Sequence, residues 1–484
     1  MDRSIARRTL LGGTAAVGLG VAFAGSLEAF GRPEPQVPGG TTGYGPLVAD
    51  PLGVVSLPAG FSYVEVARSG TPTEAGGPPY PSDPDGMGVF AGPAGGSILV
   101  SNHEYGGSET FRLRADPSLT YDSGSFGGTS TLAVDADGKR LSRYASLAGS
   151  ENNCAGGITP WGTWLTCEET ERKKDTVIGS GANRRVLQKD HGYVFEVHPI
   201  DPAANQNPVP LRFLGRYSHE AVAVDPVSSA IYLTEDAVTP NGLYYRWLPP
   251  SGFQPGVGAL RKLAEENGGD TAGRLQAMSC SQGRRHIVDL SEATRVGTRY
   301  GVRWIDVPDR QAVDTSTRLQ AFTEPITRSR KLEGAWWGNG GAYFVSSFAR
   351  PEALGDGSLN AHDGQVWFYD PDSRTITLKT LFGLNPQDPE QDGTWDGPDT
   401  ITVSPHGGLI LAEDGGGQNH LIGVSRRGQL YALARNEHRE PNQPAPAGEF
   451  CGPAFSADGR VLFANIQAPT FGVTLAITGP WRRG

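Results

Sequence analysis

The run Asn153–Glu169, NCAGGITPWGTWLTCEE, joins a cysteine to two adjacent carboxylates through a Trp-rich apolar stretch. Cysteine is scarce here, four in 484 residues, and the glycines after Cys154 let the backbone approach something closely. Glu168 and Glu169 are poor core material. A metal accounts for both features, because a thiolate suits softer transition metals and carboxylate oxygens suit calcium-like cations. Three further acids, Glu220, Glu333 and Asp399, stand at or near the starts of β-prone phrases, as Cys154 does. The four are spaced by 66, 113 and 66 residues. One thiol and three carboxylates from four separate segments make a candidate metal pocket, provided the fold brings the segments together.

The elements that would do so recur along the chain. A β-prone stretch, a turn, a second strand and often a closing acid appear at Gly96–Glu104, Thr159–Glu169, His219–Asp236 and Pro398–Asp414. Gly452–Pro469 repeats the phrase without the acid, and Leu332–Phe348 carries serines in its place. Turn signals such as DPVSS, SPHGG, ADGR and DPDS separate the strands. Gly at 67, Pro at 37 and a charged fraction of 19% suit many short strands joined by tight turns. The pattern predicts an all-β fold, a six-bladed β-propeller with loop and short helical insertions, with a two-sheet sandwich as the competing architecture. Inner strands of a propeller run the same way along its axis, so residues at equivalent ends converge on one mouth. Gly256–Gly269 is the best helix candidate.

The formal charge of -10 disfavours nucleic acid or an acidic membrane as partner. Arg7 and Arg8 directly precede a mildly apolar, Gly-rich run, which reads as a twin-arginine (Tat) signal over residues 1–35, a Sec signal or a membrane anchor being the alternatives. A Pro/Gly linker at 36–44 and one catalytic propeller domain at 45–484 follow. The expected location is the periplasm, cell surface or medium, with the Tat machinery as export partner and a monomer as the working form. Four cysteines in an exported chain allow three complete pairings, and a Cys154–Cys167 bridge competes with metal ligation.

Read together, these motifs resemble the PhoX-type alkaline phosphatases. The Cys154 run carries most of the likeness. DGM at Asp85–Met87, SNHEY at Ser101–Tyr105, GRYSHEA at Gly215–Ala221, LEGAWW at Leu332–Trp337, AEDGGG at Ala412–Gly417 and the run Phe455–Pro469 extend it. The resemblance implies a Tat-exported propeller that hydrolyses phosphomonoesters, with diesters as a further class, using a metal-bound oxide or hydroxide in a cluster of paired ferric ions and several calcium ions. It implies Cys154 as thiolate ligand, Glu169, Glu220 and Glu333 as carboxylate ligands, Glu168 beside them as a further expected metal ligand, and Asp399, Asp414 and Glu449 by looser matches. Lys331 stands where the family's better-studied members carry a phosphate-contacting arginine. On a strand it would share a side with Glu333 while Arg330 points away, and it is expected to keep the phosphate role as a point charge without a planar fork.

Plainer roles stand beside these. His219 is expected to pack, and His103–Glu104 to be either ligands or a hydrogen-bonded strand end. Trp161, Trp164, Trp336 and Trp337 are expected to fill space between blades. A calcium-dependent lactonase-like hydrolase or a non-catalytic metal-binding propeller are the competing functions.

Overall fold

A computed structural model describes residues 43–482 apart from 73–76, 107–108, 267, 348–361, 384–394, 440–447 and 469. The signal segment and most of the linker read from the sequence lie outside the described residues. Among the described residues strands dominate, with one α-helix, Ala259–Glu265, inside the stretch expected to be helical. Among the described residues no helix is long and apolar enough to cross a membrane.

The strands form a β-propeller. Pro84–Ala91, Ser97–His103, Gly127–Val134 and Arg140–Ser150 make one four-stranded sheet. Glu449–Phe455, Val461–Gln467, Val473–Thr478 and the N-terminal strand Ser62–Arg68 make another. Pro398–Val403 leads a six-stranded sheet that ends in the N-terminal strands Val55–Pro58 and Leu47–Val48. His219–Val224 and Leu332–Gly338 are the two ends of a sheet of 11 strands. The propeller therefore has four blades of four or more strands, not the six expected from the repeated phrase. Two physical reasons account for the difference. Arg274–Gln282 pairs with Arg299–Asp306, which pairs in turn with Thr375–Phe382, so hydrogen bonding runs unbroken through two repeats. The unit built on Asn153–Ile158 has only three strands, with Trp164–Glu168 and Val194–Val197.

Six inner strands nevertheless close a ring. Pro84–Ala91 packs on Asn153–Ile158, then His219–Val224, Leu332–Gly338, Pro398–Val403 and Glu449–Phe455 follow, the last returning to the first. Apolar clusters fill the spaces between sheets, as alternation of buried side chains on successive strands requires. Trp164 is fully buried, Trp336 packs between two clusters, and Trp337 stacks on Tyr232. Trp161 packs against Phe253. The tryptophans thus fill inter-sheet space as expected.

Candidate metal centre

Each inner strand is interrupted at the same place. The pairing with the next strand slips across Asp85–Gly86, Cys154–Ala155, Glu220–Ala221, Glu333–Gly334 and Asp399–Thr400, and on the sixth strand just after Cys451. A bulge bends its strand and re-aims a side chain. Here it aims one thiol and four carboxylates toward the axis. Glycine completes two of these bulges for a steric reason. A Cβ on Gly86 would lie 2.5 Å from the Cα of Ala155, and one on Gly334 would lie 2.7 Å from the Cα of Thr400.

Bulged carbonyls and amides lose their ladder partners and need others. Asn102 donates from Nδ2 to the carbonyls of Cys154 and Ala155 at 2.9 and 2.7 Å, while its Oδ1 accepts from Trp164 and Thr166. Thr234 accepts the Ala221 N–H at 2.9 Å. Asn465 donates from Nδ2 to the Asp85 carbonyl.

The second strand of each hairpin adds another layer. The residues opposite the one before the bulge include Glu168, Glu235 and Glu413, and the residues after them are Glu169, Asp236 and Asp414. Neighbours on a strand point to opposite faces, and the two sets behave accordingly. Glu168 turns from the axis; it accepts from the N–H groups of Glu151, Gly192 and Tyr193 and pairs with His191 Nδ1 at 2.7 Å. Glu235 pairs with Arg318 at 3.1 Å and Glu413 with His420 at 2.9 Å. Glu169, by contrast, lies within the electrostatic reach of Asp236, Glu104 and Glu333. The sequence reading of Glu168 as a ligand is therefore corrected: its oxygens are already spent on its own blade.

Among the described residues, two donor sets have ligand atoms within 4.8 Å of one another: Cys154, Glu169 and Glu220, and Glu220, Glu333 and Asp399. Glu220 belongs to both, so the two sets share a wall. Burial raises the Cys154 thiol well above its usual value, with the charges of Glu220 and Glu169 adding to the effect. Burial and mutual repulsion likewise raise Asp85, Glu104, Glu169, Glu220, Glu333 and Glu449. Asp399 is pushed up to about 8 by burial and then by Asp414. Against these acids stands the ammonium of Lys331, 2.9 Å from Glu333 and 3.3 Å from Asp236. Lys331 therefore does share a side with Glu333, and its φ of 36° places it in the left-handed region that non-glycine residues rarely occupy. The other oxygen of Asp236 is buried without a hydrogen-bond partner.

The donor chemistry fits cations. Several carboxylates desolvated together around one ammonium are strongly unfavourable unless positive charge is supplied. One thiol beside many oxygens suits a mixed set of a transition metal and calcium. All four cysteines are unbridged, and the Cys154 Sγ instead approaches the carbonyls of His219 and Glu220 at 3.3 and 3.5 Å. The competing Cys154–Cys167 disulfide is absent.

Of the sequence-derived site residues, the structure gathers Cys154, Glu169, Glu220, Glu333, Asp399 and Lys331. Asp414 stands at the rim, lining a cavity of about 350 Å³ with Asp83 and Glu449. His219 stacks on Tyr217 at 3.7 Å and packs as expected. His103 is bound by Ser82 and Ser130, whereas Glu104 joins the acidic group. Sequence reasoning did not assign Asp85, Asp236 or Cys451 to the site. The acid closing the His219–Asp236 phrase was the visible sign of Asp236, whereas the bulge that turns Asp85 inward leaves no mark in the sequence.

The family described as Alkaline phosphatase PhoX matches residues 42–470. No curated protein matches the chain. Among solved structures, the chain is similar to a protein of unknown function from Bacteroides thetaiotaomicron at 9% identity and TM-score 0.40, covering 86% of this chain and 76% of that one. It is also similar to a gluconolactonase from Xanthomonas campestris at 12% identity and TM-score 0.31, covering 85% and 100%. A pyranose dehydrogenase domain from Coprinopsis cinerea aligns at 11% identity and TM-score 0.36, covering 88% and 97%.

Proposed function

This chain belongs to the PhoX alkaline phosphatase family, and from that premise we propose that it is an exported, metal-dependent phosphatase releasing phosphate from organic phosphomonoesters. The single observation carrying the reading is the convergence of Cys154, Glu169, Glu220, Glu333 and Asp399 into two adjoining donor sets with one lysine beside them. Cys154, Glu169 and Glu220 would hold ferric iron, and Glu220, Glu333 and Asp399 a neighbouring cation of the iron–calcium set. Bound there, such ions supply Lewis-acid neutralisation of phosphate oxygens and activation of water.

The chain's own residues do the rest. Glu333 and Asp236 hold the Lys331 ammonium at the cluster, where it meets the phosphoryl group as a compact point charge with three donors. Asn102 and Thr234 fix the bulges, so the ligand side chains are aimed before substrate arrives. Export by the Tat route, from the Arg7–Arg8 signal, suits a protein that must fold around metal first.

The test uses protein exported by its own host. Elemental analysis finds iron and calcium, the protein is violet from thiolate-ligated ferric iron, and it releases phosphate from an aryl phosphate. Cys154→Ala loses the colour and the activity together. Lys331→Ala loses at least about tenfold in kcat/KM, a deficit of roughly 1.4 kcal/mol or more in transition-state binding, and Lys331→Arg retains activity. Iron-loaded protein that hydrolyses no phosphate ester, or calcium found without iron, overturns the reading.

A further inference from the structure

A second charged site lies on the outside of the three-stranded unit. Between Trp164–Glu168 and Val194–Val197 the chain makes an excursion over residues 172–190, carrying Arg172, Lys173, Lys174, Arg184, Arg185 and Lys189 against Asp175 and Asp190. In a protein of formal charge -10 this concentration of cations stands out. Part of it lines a cavity of about 440 Å³, walled by Lys174, Lys189 and Arg212 with Tyr121, Asp190 and Pro208–Pro210.

The cavity is shaped as well as charged. Lys189 Nζ sits over the Tyr121 ring at 4.3 Å, and the Arg212 guanidinium lies over the Tyr193 ring at 4.7 Å while donating to its hydroxyl at 2.7 Å. The Tyr121 hydroxyl is spent on the Asp190 carbonyl, and one Asp190 carboxylate oxygen accepts the Lys174 N–H. Among the described residues, no carboxylate lies within ion-pairing distance of Lys174, Lys189 or Arg212. Three cations face this cavity against the single carboxylate of Asp190, and a bound anion offsets the positive charge that remains. The aromatic rings hold two of the cations in place, so less side-chain freedom is lost on binding.

We propose that this cavity binds a divalent oxyanion, inorganic phosphate or the phosphate of a monoester, separately from the metal centre. It does not rest on the hydrolytic reading. The cavity is roomy enough for a small anion with its attached group.

The experiment is equilibrium dialysis of labelled inorganic phosphate against the full, metal-loaded protein at low ionic strength, with sulfate as competitor. Wild type shows two classes of site. Lys174→Gln/Lys189→Gln changes two exposed side chains and keeps the metal centre; it loses one class, with affinity there falling roughly tenfold or more. The weaker class in wild type fades as salt rises. Cys154→Ala removes the other class and leaves this one. Phosphate binding that Cys154→Ala abolishes entirely, or that the lysine variant leaves unchanged, overturns the proposal. Should the double variant fold poorly by circular dichroism, Lys174→Gln alone gives the same reading. Loss of hydrolysis with both classes intact would instead count against the phosphatase assignment.

Discussion

At the scale of single residues, the separation of Glu168 from Glu169 decides what each carboxylate does. Both are acids in one motif, yet one faces the axis and the other is held by His191, which sits between Glu168 and Asp122 at 2.7 and 3.2 Å. Burial alone would lower the imidazole's pKa, but the two flanking carboxylates raise it to about 10. A folded-state value above the unfolded one of about 6.5 stabilises the protein fully below that pH, and the contribution is lost as pH rises through about 10. His191→Gln should therefore cost about 3 kcal/mol near neutral pH, because it leaves two buried carboxylates without their cation. Chemical denaturation across pH 6 to 11 checks this: the variant's stability should change less between pH 7 and 10 than that of wild type. The residue types needed for metal chemistry were legible in the sequence, as were Cys154, Glu220, Glu333 and Asp399. The facing of adjacent acids was not, because it depends on where the strand pairing begins.

At the scale of elements, the bulges are what turn short strands into a ligand-bearing ring. The repeated hairpins could be read from turn residues and β-branched runs, and so could the helix near Ala259. Bulges leave no compositional mark of their own, so Asp85 stayed hidden. The blade count failed for a related reason: pairing of Arg299–Asp306 with Thr375–Phe382 joins the His219 and Leu332 repeats, which read as separate. Two substitutions test the bulges. Gly334→Ala forces a Cβ to 2.7 Å from Thr400 Cα, and overpacking of this kind costs about 1–3 kcal/mol. Its metal content should fall along with its thermal midpoint. Asn102→Ala removes four buried hydrogen bonds around the Cys154 bulge and leaves their partners unsatisfied, a loss of about 3 kcal/mol. Urea titration of metal-loaded protein should show it.

At the scale of the molecule, the axis is a concentration of negative charge that the fold holds together only with help. Chelation should lower the thermal midpoint by about 10 °C or more, since ligands that bind only the folded state contribute several kcal/mol. Differential scanning calorimetry before and after chelation, with recovery on adding iron and calcium, measures this. The blade that includes Cys451 is built from strands more than 400 residues apart in sequence: Ser62–Arg68 lies against Val473–Thr478. Val55 and Ser56 close onto Asn436 and Arg435 in the same manner. The pocket is thus a late product of biosynthesis. A nascent chain lacking Val473–Thr478 has the donors but no enclosure, so cation capture must wait until that strand has emerged, and removing it should abolish loading at a distance from every ligand.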